Sequence, residues 1–260
     1  MSKISEAFSS GKVFMPYITG GDPDIETTEK LLYALYEAGA GIIEIGVPFS
    51  DPIAEGPVIE AASLRALNAG CTVEKLFDLV ARVRKDIPIP LLFMTYYNPV
   101  FAYGVSEFTQ RCADCGLDGL IVPDLPFDER DELHQPCVSQ GIELISLIAP
   151  TSEERIVKIA RHSGGFLYCV SSLGVTGERS DLGDSARRLI QRVRQEANIP
   201  CAVGFGISNP DQAREVAEFA DGVIIGSAIV KIIAKQGRES IPHVARFAQS
   251  ITDALCGVRS

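Results

Sequence analysis

Short apolar runs alternate with amphipathic helical stretches along the whole chain, and this alternation limits the possible folds more than any other feature. The runs are apolar at consecutive positions, which is typical of parallel strands covered on both faces. They predict eight strands, at Val13–Ile18, Ile42–Val47, Leu91–Thr95, Gly119–Val122, Glu143–Ile148, Phe166–Val170, Cys201–Gly204 and Gly222–Ile225. The intervening stretches, such as TTEKLLYALYEAGA, have helical spacing. Several of them end at a glycine, as helix C-caps do: Gly39, Gly116 and Gly141.

Eight strands, each followed by a helix, indicate a (β/α)8 barrel, which uses about 250 residues as one domain. We therefore predict an α/β protein in which residues 1–260 form a single TIM barrel domain. The leading segment SKISEAFSSG and the stretch after Pro57 predict two additional helices, one N-terminal and one after the second strand. An open doubly wound sheet is the alternative, although it rarely needs eight such units in a chain of this length.

Charge and cysteine content exclude several classes of function. With 24 Lys and Arg against 34 Asp and Glu, the formal net charge is −10, so we expect neither nucleic acid nor an anionic membrane as a partner. No apolar run reaches about 18 residues, and the N-terminus lacks a secretory signal. Seven irregularly spaced cysteines favour a reduced, cytoplasmic protein. Cys112 and Cys115 form a CxxC pair inside a helical pattern, where we expect packing rather than redox chemistry.

Glycines after the last predicted strands suggest a phosphate site. The seventh strand runs into Gly206 and the eighth into Gly226 and Ser227, where a helix can begin, and Gly177 follows the sixth. In this fold the final strands commonly feed a phosphate site, and helix N-termini favour anions. Each glycine alone is equally consistent with an ordinary turn, but together they favour a phosphate ligand.

Carboxylates near the second strand are the candidates for chemistry. Glu44 lies within an apolar strand, where strand alternation puts it on the same face as Ile42, which could be the barrel interior. Burial there would raise its pKa and suit a general acid or base, but a structural carboxylate bonded to backbone N–H groups is equally consistent. The stiff loop that follows carries Asp51 and Glu55, either of which could complete an acid/base pair or be a solvated loop residue.

The residue types missing from the predicted strand ends argue against several other catalytic mechanisms. No lysine lies in a predicted strand or at its C-terminal end, which argues against a Schiff-base aldolase. His134, His162 and His243 all fall in or beside helical patterns, which argues against a histidine metal site. No GxGxxG motif follows the first strand. We therefore expect an enzyme without metal or cofactor that acts on a small phosphorylated molecule.

The motifs MPYITGGDPD, EIGVPFSDPIAEGP, YCVSSLGVTGER, VGFGIS and GSAIV occur in an order and spacing that closely resemble the tryptophan synthase α subunit family. The resemblance covers essentially the whole chain. It implies a lyase of tryptophan biosynthesis that cleaves indole-3-glycerol phosphate to indole and glyceraldehyde 3-phosphate. It further implies an αββα complex, in which indole passes to a β subunit that holds pyridoxal phosphate.

The same resemblance assigns roles to individual residues. Glu44 matches the glutamate that acts as general acid and base at indole C3 and at the adjacent hydroxyl, and Glu55 stands where the family usually has the aspartate that takes the indole N–H proton. The implied substrate-binding residues are Tyr17, Tyr96, Ile121, Tyr168 and Phe205. The implied phosphate-binding residues are Gly177, Gly206, Gly226 and Ser227. The residues implied in loop closure and partner contact are Asp51 and Thr176.

Glu55 is the departure that matters, because AEGP replaces the usual ADGP and moves the carboxylate by roughly 1 Å or more. The main hypothesis is an active α subunit. The alternatives are a catalytically weakened α subunit that mainly activates β, a stand-alone lyase, or another phosphate-binding barrel such as a sugar-phosphate isomerase.

Overall fold

Eight parallel strands close into a barrel within the part of the chain that the computed structural model describes, residues 2–150, 153–170, 179–204 and 206–258. The strands are β1 Val13–Thr19, β2 Ile43–Gly46, β3 Leu91–Met94, β4 Gly119–Ile121, β5 Glu143–Ile148, β6 Leu167–Cys169, β7 Cys201–Val203 and β8 Gly222–Ile225. Each pairs with its neighbour in chain order, and β1 also pairs with β8, so the sheet has no edge. The predicted barrel is confirmed, and the open sheet is not found.

Helices surround the barrel and cover its outer face. Within the described residues they are α1 Lys3–Ala7, α2 Ile25–Glu37, α3 Pro57–Asn68, α4 Val73–Val83, α5 Tyr97–Tyr103, α6 Val105–Cys115, α7 Asp131–Ser139, α8 Glu153–His162, α9 Arg179–Glu196, α10 Pro210–Ala217, α11 Ser227–Gln236 and α12 Ile241–Cys256. The two additional helices predicted from sequence are α1 and α3. None of the helices in the described ranges is both long and apolar enough to cross a membrane.

Five of the eight predicted strands extend one residue too far at their C-terminal ends, whereas β1 ends one residue later than predicted. Val47, Thr95 and Val170 each lie one residue beyond the observed end of a strand. Each still donates its backbone N–H to a neighbouring strand, to the carbonyls of Met94, Ile121 and Ile148 respectively, at 2.8–3.0 Å. The ladder therefore continues for one hydrogen bond after the chain has begun to turn into a loop.

The core has two layers, one inside the barrel and one between strands and helices. Residues that alternate along the strands fill the interior, among them Met15, Ile42 and Leu92, all fully buried. At the N-terminal end of the barrel, α1 inserts Ile4 into this interior cluster. Phe8 follows α1 and packs against Phe166 at 5.6 Å between ring centroids, so this end is plugged by side chains.

The cysteines belong to the packing of the outer layer. Six of the seven are buried, and all seven are free thiols. Cys112 and Cys115 both lie on α6 and face the core, and burial raises the pKa of the Cys115 thiol to about 11. A protonated, buried thiol is a poor nucleophile, so the CxxC pair packs as predicted.

A buried ion pair ties the turn after β1 to α3. Asp22 is 1% exposed, and both of its carboxylate oxygens accept hydrogen bonds from Arg65, at 2.8 Å from Nε and 2.7 Å from Nη2. Removing the arginine would leave a buried carboxylate without a cation, and that cost normally exceeds the energy of an exposed pair.

Replacement of Arg65 by alanine should therefore lower the free energy of unfolding by about 2–3 kcal/mol. The matched control is Arg82→Ala, which removes the more exposed pair with Glu29 and should cost less than about 1 kcal/mol. Urea unfolding of both variants measures the difference. Equal losses would show that the Asp22–Arg65 pair contributes no more than a surface contact.

Candidate active site

Glu44 lies in the middle of β2 and points into the barrel. Its side chain is fully buried, and neither carboxylate oxygen has a hydrogen-bond partner among the described residues. Burial raises its pKa to about 8, so the carboxyl group is mostly protonated at neutral pH. The structural alternative, a carboxylate bonded to backbone N–H groups, is not what the structure shows. A neutral acid without an internal partner is poised to donate a proton.

Two buried tyrosines flank this carboxyl group. Tyr17 pairs in register with Glu44 across β1 and β2, and Tyr168 faces the interior from β6. Burial raises the pKa of both phenols well above the ordinary value, and the Glu44 carboxyl group adds to the shift of each. Both phenols are therefore neutral, and both lie within electrostatic reach of Glu44.

Glycines on neighbouring strands make room for the two rings. A Cβ atom on Gly46 would overlap the hydroxyl of Tyr17, and one on Gly204 would lie 2.5 Å from the hydroxyl of Tyr168. Any larger residue at these two positions would displace a tyrosine ring from its place in the barrel interior. The glycines thus shape the walls of the site.

Glu55 lies in the β2–α3 loop (residues 47–56), within electrostatic reach of Tyr17. Its side chain is half-buried, and burial, with a smaller contribution from the Glu60 carboxylate, raises its pKa to about 7. Glu55 raises the pKa of Tyr17 more than Glu44 does, so both carboxyl groups lie within electrostatic reach of one tyrosine. The structure therefore brings together the two predicted acid/base residues.

The β2–α3 loop is held against Tyr96, which precedes α5. Tyr96 is buried, its ring lies 5.4 Å from that of Phe49 between centroids, and its hydroxyl accepts a hydrogen bond from the Ala54 N–H at 2.9 Å. Asp51 lies at the exposed outer side of the loop, where it accepts a hydrogen bond from Ser50 at 2.5 Å. Of the two loop carboxylates, Glu55 is half-buried and Asp51 is exposed to solvent.

Of the predicted phosphate residues that the structure describes, Gly226 and Ser227 lie at the start of α11, and Gly206 lies in the loop between β7 and α10. Gly226 precedes α11 without a side-chain cap, and Ser227, the first residue of that helix, is exposed. By contrast, α10 is capped by Asn209, which accepts the Gln212 N–H. Gly206 has open space at its Cβ position. The free N–H groups at the N-terminus of α11 can bind an anion.

The remaining predicted residues divide into two groups. Ile121 ends β4 and lies in the interior cluster with Tyr168. Phe205, Thr176 and Gly177 lie outside the described residues. No group of three or more His, Cys, Asp or Glu side chains in the described ranges is arranged to hold a metal ion.

Two supporting residues were missed in the sequence. Thr19 lies beside Tyr17, with 3.4 Å between the hydroxyl oxygens. Asp124 follows β4 and accepts the Tyr97 N–H with both carboxylate oxygens, at 2.9 and 3.1 Å, which fixes the start of α5. A signal for Asp124 existed, since it stands between prolines directly after a strand, as Asp51 does.

A closed (β/α)8 barrel with a neutral interior carboxyl group, a second carboxyl group above it and an uncapped helix N-terminus defines a class, the barrel enzymes that use acid/base chemistry on anionic substrates. Within that class, the family described as "Tryptophan synthase alpha chain" matches residues 5–255. The chain belongs to this family, so the alternative of a sugar-phosphate isomerase is wrong.

Individual relatives agree over nearly the full length. The tryptophan synthase alpha chain of Lacticaseibacillus casei is 47% identical over 255 residues, covering 98% of this chain and 96% of that protein. Among solved structures, tryptophan synthase subunit alpha from Legionella pneumophila has a TM-score of 0.91 at 35% identity, covering 99% and 100% of the two chains. A chain of the tryptophan synthase α2β2 complex from Pyrococcus furiosus has a TM-score of 0.87 at 37% identity, covering 94% and 98%.

The buried Glu44 should make the stability of the fold depend on pH. Its pKa is higher in the folded state, so stability is greatest below the ordinary pKa near 4.5 and falls as the pH rises to about 8, by at most about 5 kcal/mol. Glu44→Gln removes this dependence, so the stability of the variant relative to wild type should increase between pH 5 and pH 8.

Urea unfolding at several pH values measures this difference. Glu107→Gln, an exposed carboxylate on α6, serves as the control and should follow the wild-type curve. Parallel curves for Glu44→Gln and wild type would show that Glu44 has an ordinary pKa in the folded protein.

Proposed function

We propose that this chain is a tryptophan synthase α subunit, which cleaves indole-3-glycerol phosphate to indole and glyceraldehyde 3-phosphate. The observation that carries the proposal is the neutral, unpartnered carboxyl group of Glu44 inside the barrel. Family membership over residues 5–255 supports it. The reaction is a retro-aldol cleavage, so it needs one proton delivered to carbon and one taken from a hydroxyl.

Glu44 performs both transfers in this proposal. Its protonated form gives a proton to indole C3, which places positive charge on the ring nitrogen. The carboxylate that remains takes the proton of the adjacent glycerol hydroxyl while the carbon–carbon bond breaks. The bonding electrons return to the ring, and Glu44 ends the cycle protonated as it began.

Glu55 serves the ring nitrogen. With a pKa of about 7 it is substantially ionised at neutral pH, and the positive charge on the ring further favours its carboxylate. It accepts the ring N–H proton, or a hydrogen bond from the N–H, as positive charge develops on the ring. It returns the proton when the carbon–carbon bond breaks. The two carboxyl groups thus have different tasks because they are buried to different extents.

The remaining site residues bind the substrate. Tyr17, Tyr96, Ile121, Tyr168 and Phe205 form the walls around the indole ring. Gly177, Gly206, Gly226 and Ser227 hold the phosphate, and the uncapped N-terminus of α11 supports this assignment. Thr176 and Asp51 take part in closing the site.

The partner is a tryptophan synthase β subunit in an αββα complex. Two large apolar side chains support a docking surface at the C-terminal end of the barrel: Ile53 in the β2–α3 loop is 81% exposed, and Phe101 on α5 is 67% exposed. Asp51 lies on the same loop. Indole passes to the β subunit, which carries the pyridoxal phosphate, while the two carboxyl groups of this chain supply its proton transfers.

The presence of Glu55 in place of the usual aspartate does not indicate a catalytically weakened α subunit. The half-burial of Glu55 and the loop contact with Tyr96 keep its carboxyl group at the cavity. We further propose that residues 1–260 form one domain, supported by the closed sheet in chain order, and that the protein acts in the cytoplasm, supported by seven free thiols.

Release of indole from indole-3-glycerol phosphate, measured with and without a β subunit, tests the function. We expect turnover that β increases strongly. Glu44→Gln should reduce it at least about 100-fold, whereas Glu107→Gln should retain it. Wild-type protein that releases no indole in either condition while still stimulating β would overturn the proposal in favour of an activator.

The pH dependence of kcat/KM tests the division of roles. A rising limb near pH 7 should report ionisation of Glu55, and a falling limb near pH 8 should report loss of the Glu44 proton, giving a narrow bell. Glu55→Asp should move the rising limb and leave the falling limb in place. A profile that stays flat from pH 6 to 9 is incompatible with these two roles.

A further inference from the structure

Tyr96 contacts the β2–α3 loop through its hydroxyl as well as its ring. The hydroxyl oxygen accepts the backbone N–H of Ala54, the residue before Glu55, at 2.9 Å. The two residues are 42 positions apart in the chain, and Tyr96 is 3% exposed. A wall for the indole ring requires only the face of the phenol, so the hydroxyl is free for a different role.

Tyr96 is itself firmly held. The Thr95 N–H donates to the carbonyl of Ile121 at 3.0 Å, which ties the preceding residue to β4. The next residue, Tyr97, donates its N–H to both oxygens of Asp124. The phenol therefore projects from backbone that is fixed on both sides, and its oxygen occupies a defined position.

The loop needs such an anchor because little else holds its central part. Asp51, Ile53 and Ala54 are exposed, and α3 begins after Gly56 without a side-chain cap. Within the described residues, the Tyr96 hydroxyl is the one side-chain group of another element that accepts hydrogen bonds from this loop, from the Ala54 N–H at 2.9 Å and from the neighbouring Ile53 N–H. Without it, the backbone at Glu55 would be free to move.

We propose that the Tyr96 hydroxyl is a positioning group that fixes the backbone next to Glu55, and so places its carboxylate at the substrate ring nitrogen. This inference rests on the proposed function. It is a separate role from lining the cavity, since it acts through Ala54 and not through contact with substrate. The need is greater with glutamate than with aspartate, because the additional torsion gives the carboxylate more positions to occupy.

Tyr96→Phe removes the oxygen and keeps the ring against Phe49, so the fold should be retained. We expect kcat to fall about tenfold with KM changed less than about twofold, since small displacements of a catalytic group can cost up to about 10²-fold. Tyr97→Phe is the matched control, because the Tyr97 hydroxyl bonds Glu132 at an exposed position. The control should have wild-type kinetics.

A double-mutant cycle tests whether Tyr96 acts by positioning Glu55 or only by contacting the indole ring. In a Glu55→Gln background, Tyr96→Phe should change kcat less than about twofold, because the group it positions is no longer functional. An equally large loss in both backgrounds would overturn the inference, as would wild-type kcat in the single variant.

Amide hydrogen exchange tests the same contact without any turnover. Amides of residues 47–56 should exchange at least about tenfold faster in Tyr96→Phe than in wild type, with the strands unchanged. Unchanged exchange would overturn the inference even if the lyase activity is present. Faster exchange in a chain that cleaves no indole-3-glycerol phosphate would instead refute the proposed function and leave the loop anchor standing.

Discussion

The pairing of β1 with β8 is the constraint on which the rest of the structure depends, because it turns a sheet into a closed wall. Once Val13 pairs with Gly222 and Pro16 with Ile225, side chains that alternate inward have no route to solvent through the sheet. Met15 and Leu92 fill this space at no cost, but a carboxyl group placed there loses its hydration. The raised pKa of Glu44 follows from this loss of hydration.

The two carboxyl groups have different catalytic roles because they lie at different positions along one short segment of the chain. Glu44 and Glu55 are the same residue type, eleven positions apart, yet one lies inside the wall and the other at its rim. Their pKa values, about 8 and about 7, differ in the direction that burial dictates. Burial alone raises the pKa of Glu44, and burial with a smaller contribution from Glu60 raises that of Glu55, into the range in which proton transfer is efficient at neutral pH. The net charge of −10 makes local donors such as the start of α11 necessary for an anionic substrate.

Much of this could be predicted from the sequence, since periodicity reports local structure. The eight apolar runs predicted the strands, and alternation placed Glu44 on the same face as Ile42. The contacts between Tyr96 and Ala54 and between Asp22 and Arg65 could not be predicted, because each joins residues more than 40 positions apart. Such contacts depend on where loops from different strands meet, which no local pattern encodes. The pKa of Glu55 could likewise not be predicted, because its half-burial depends on the path of a loop that carries two prolines.

The packing of Ile4 and Phe8 at one end of the barrel also determines where substrate enters and products leave the site. With one end of the barrel filled by side chains, substrate arrives and products depart through the rim at the opposite end. The apolar residues Ile53 and Phe101 belong to that same end. A protein bound to these two residues lies at the open end of the barrel, so it can control when substrate enters and when products leave. A barrel with a single mouth is therefore suited to handing a small apolar product directly to a neighbour, with little escape into the surrounding water.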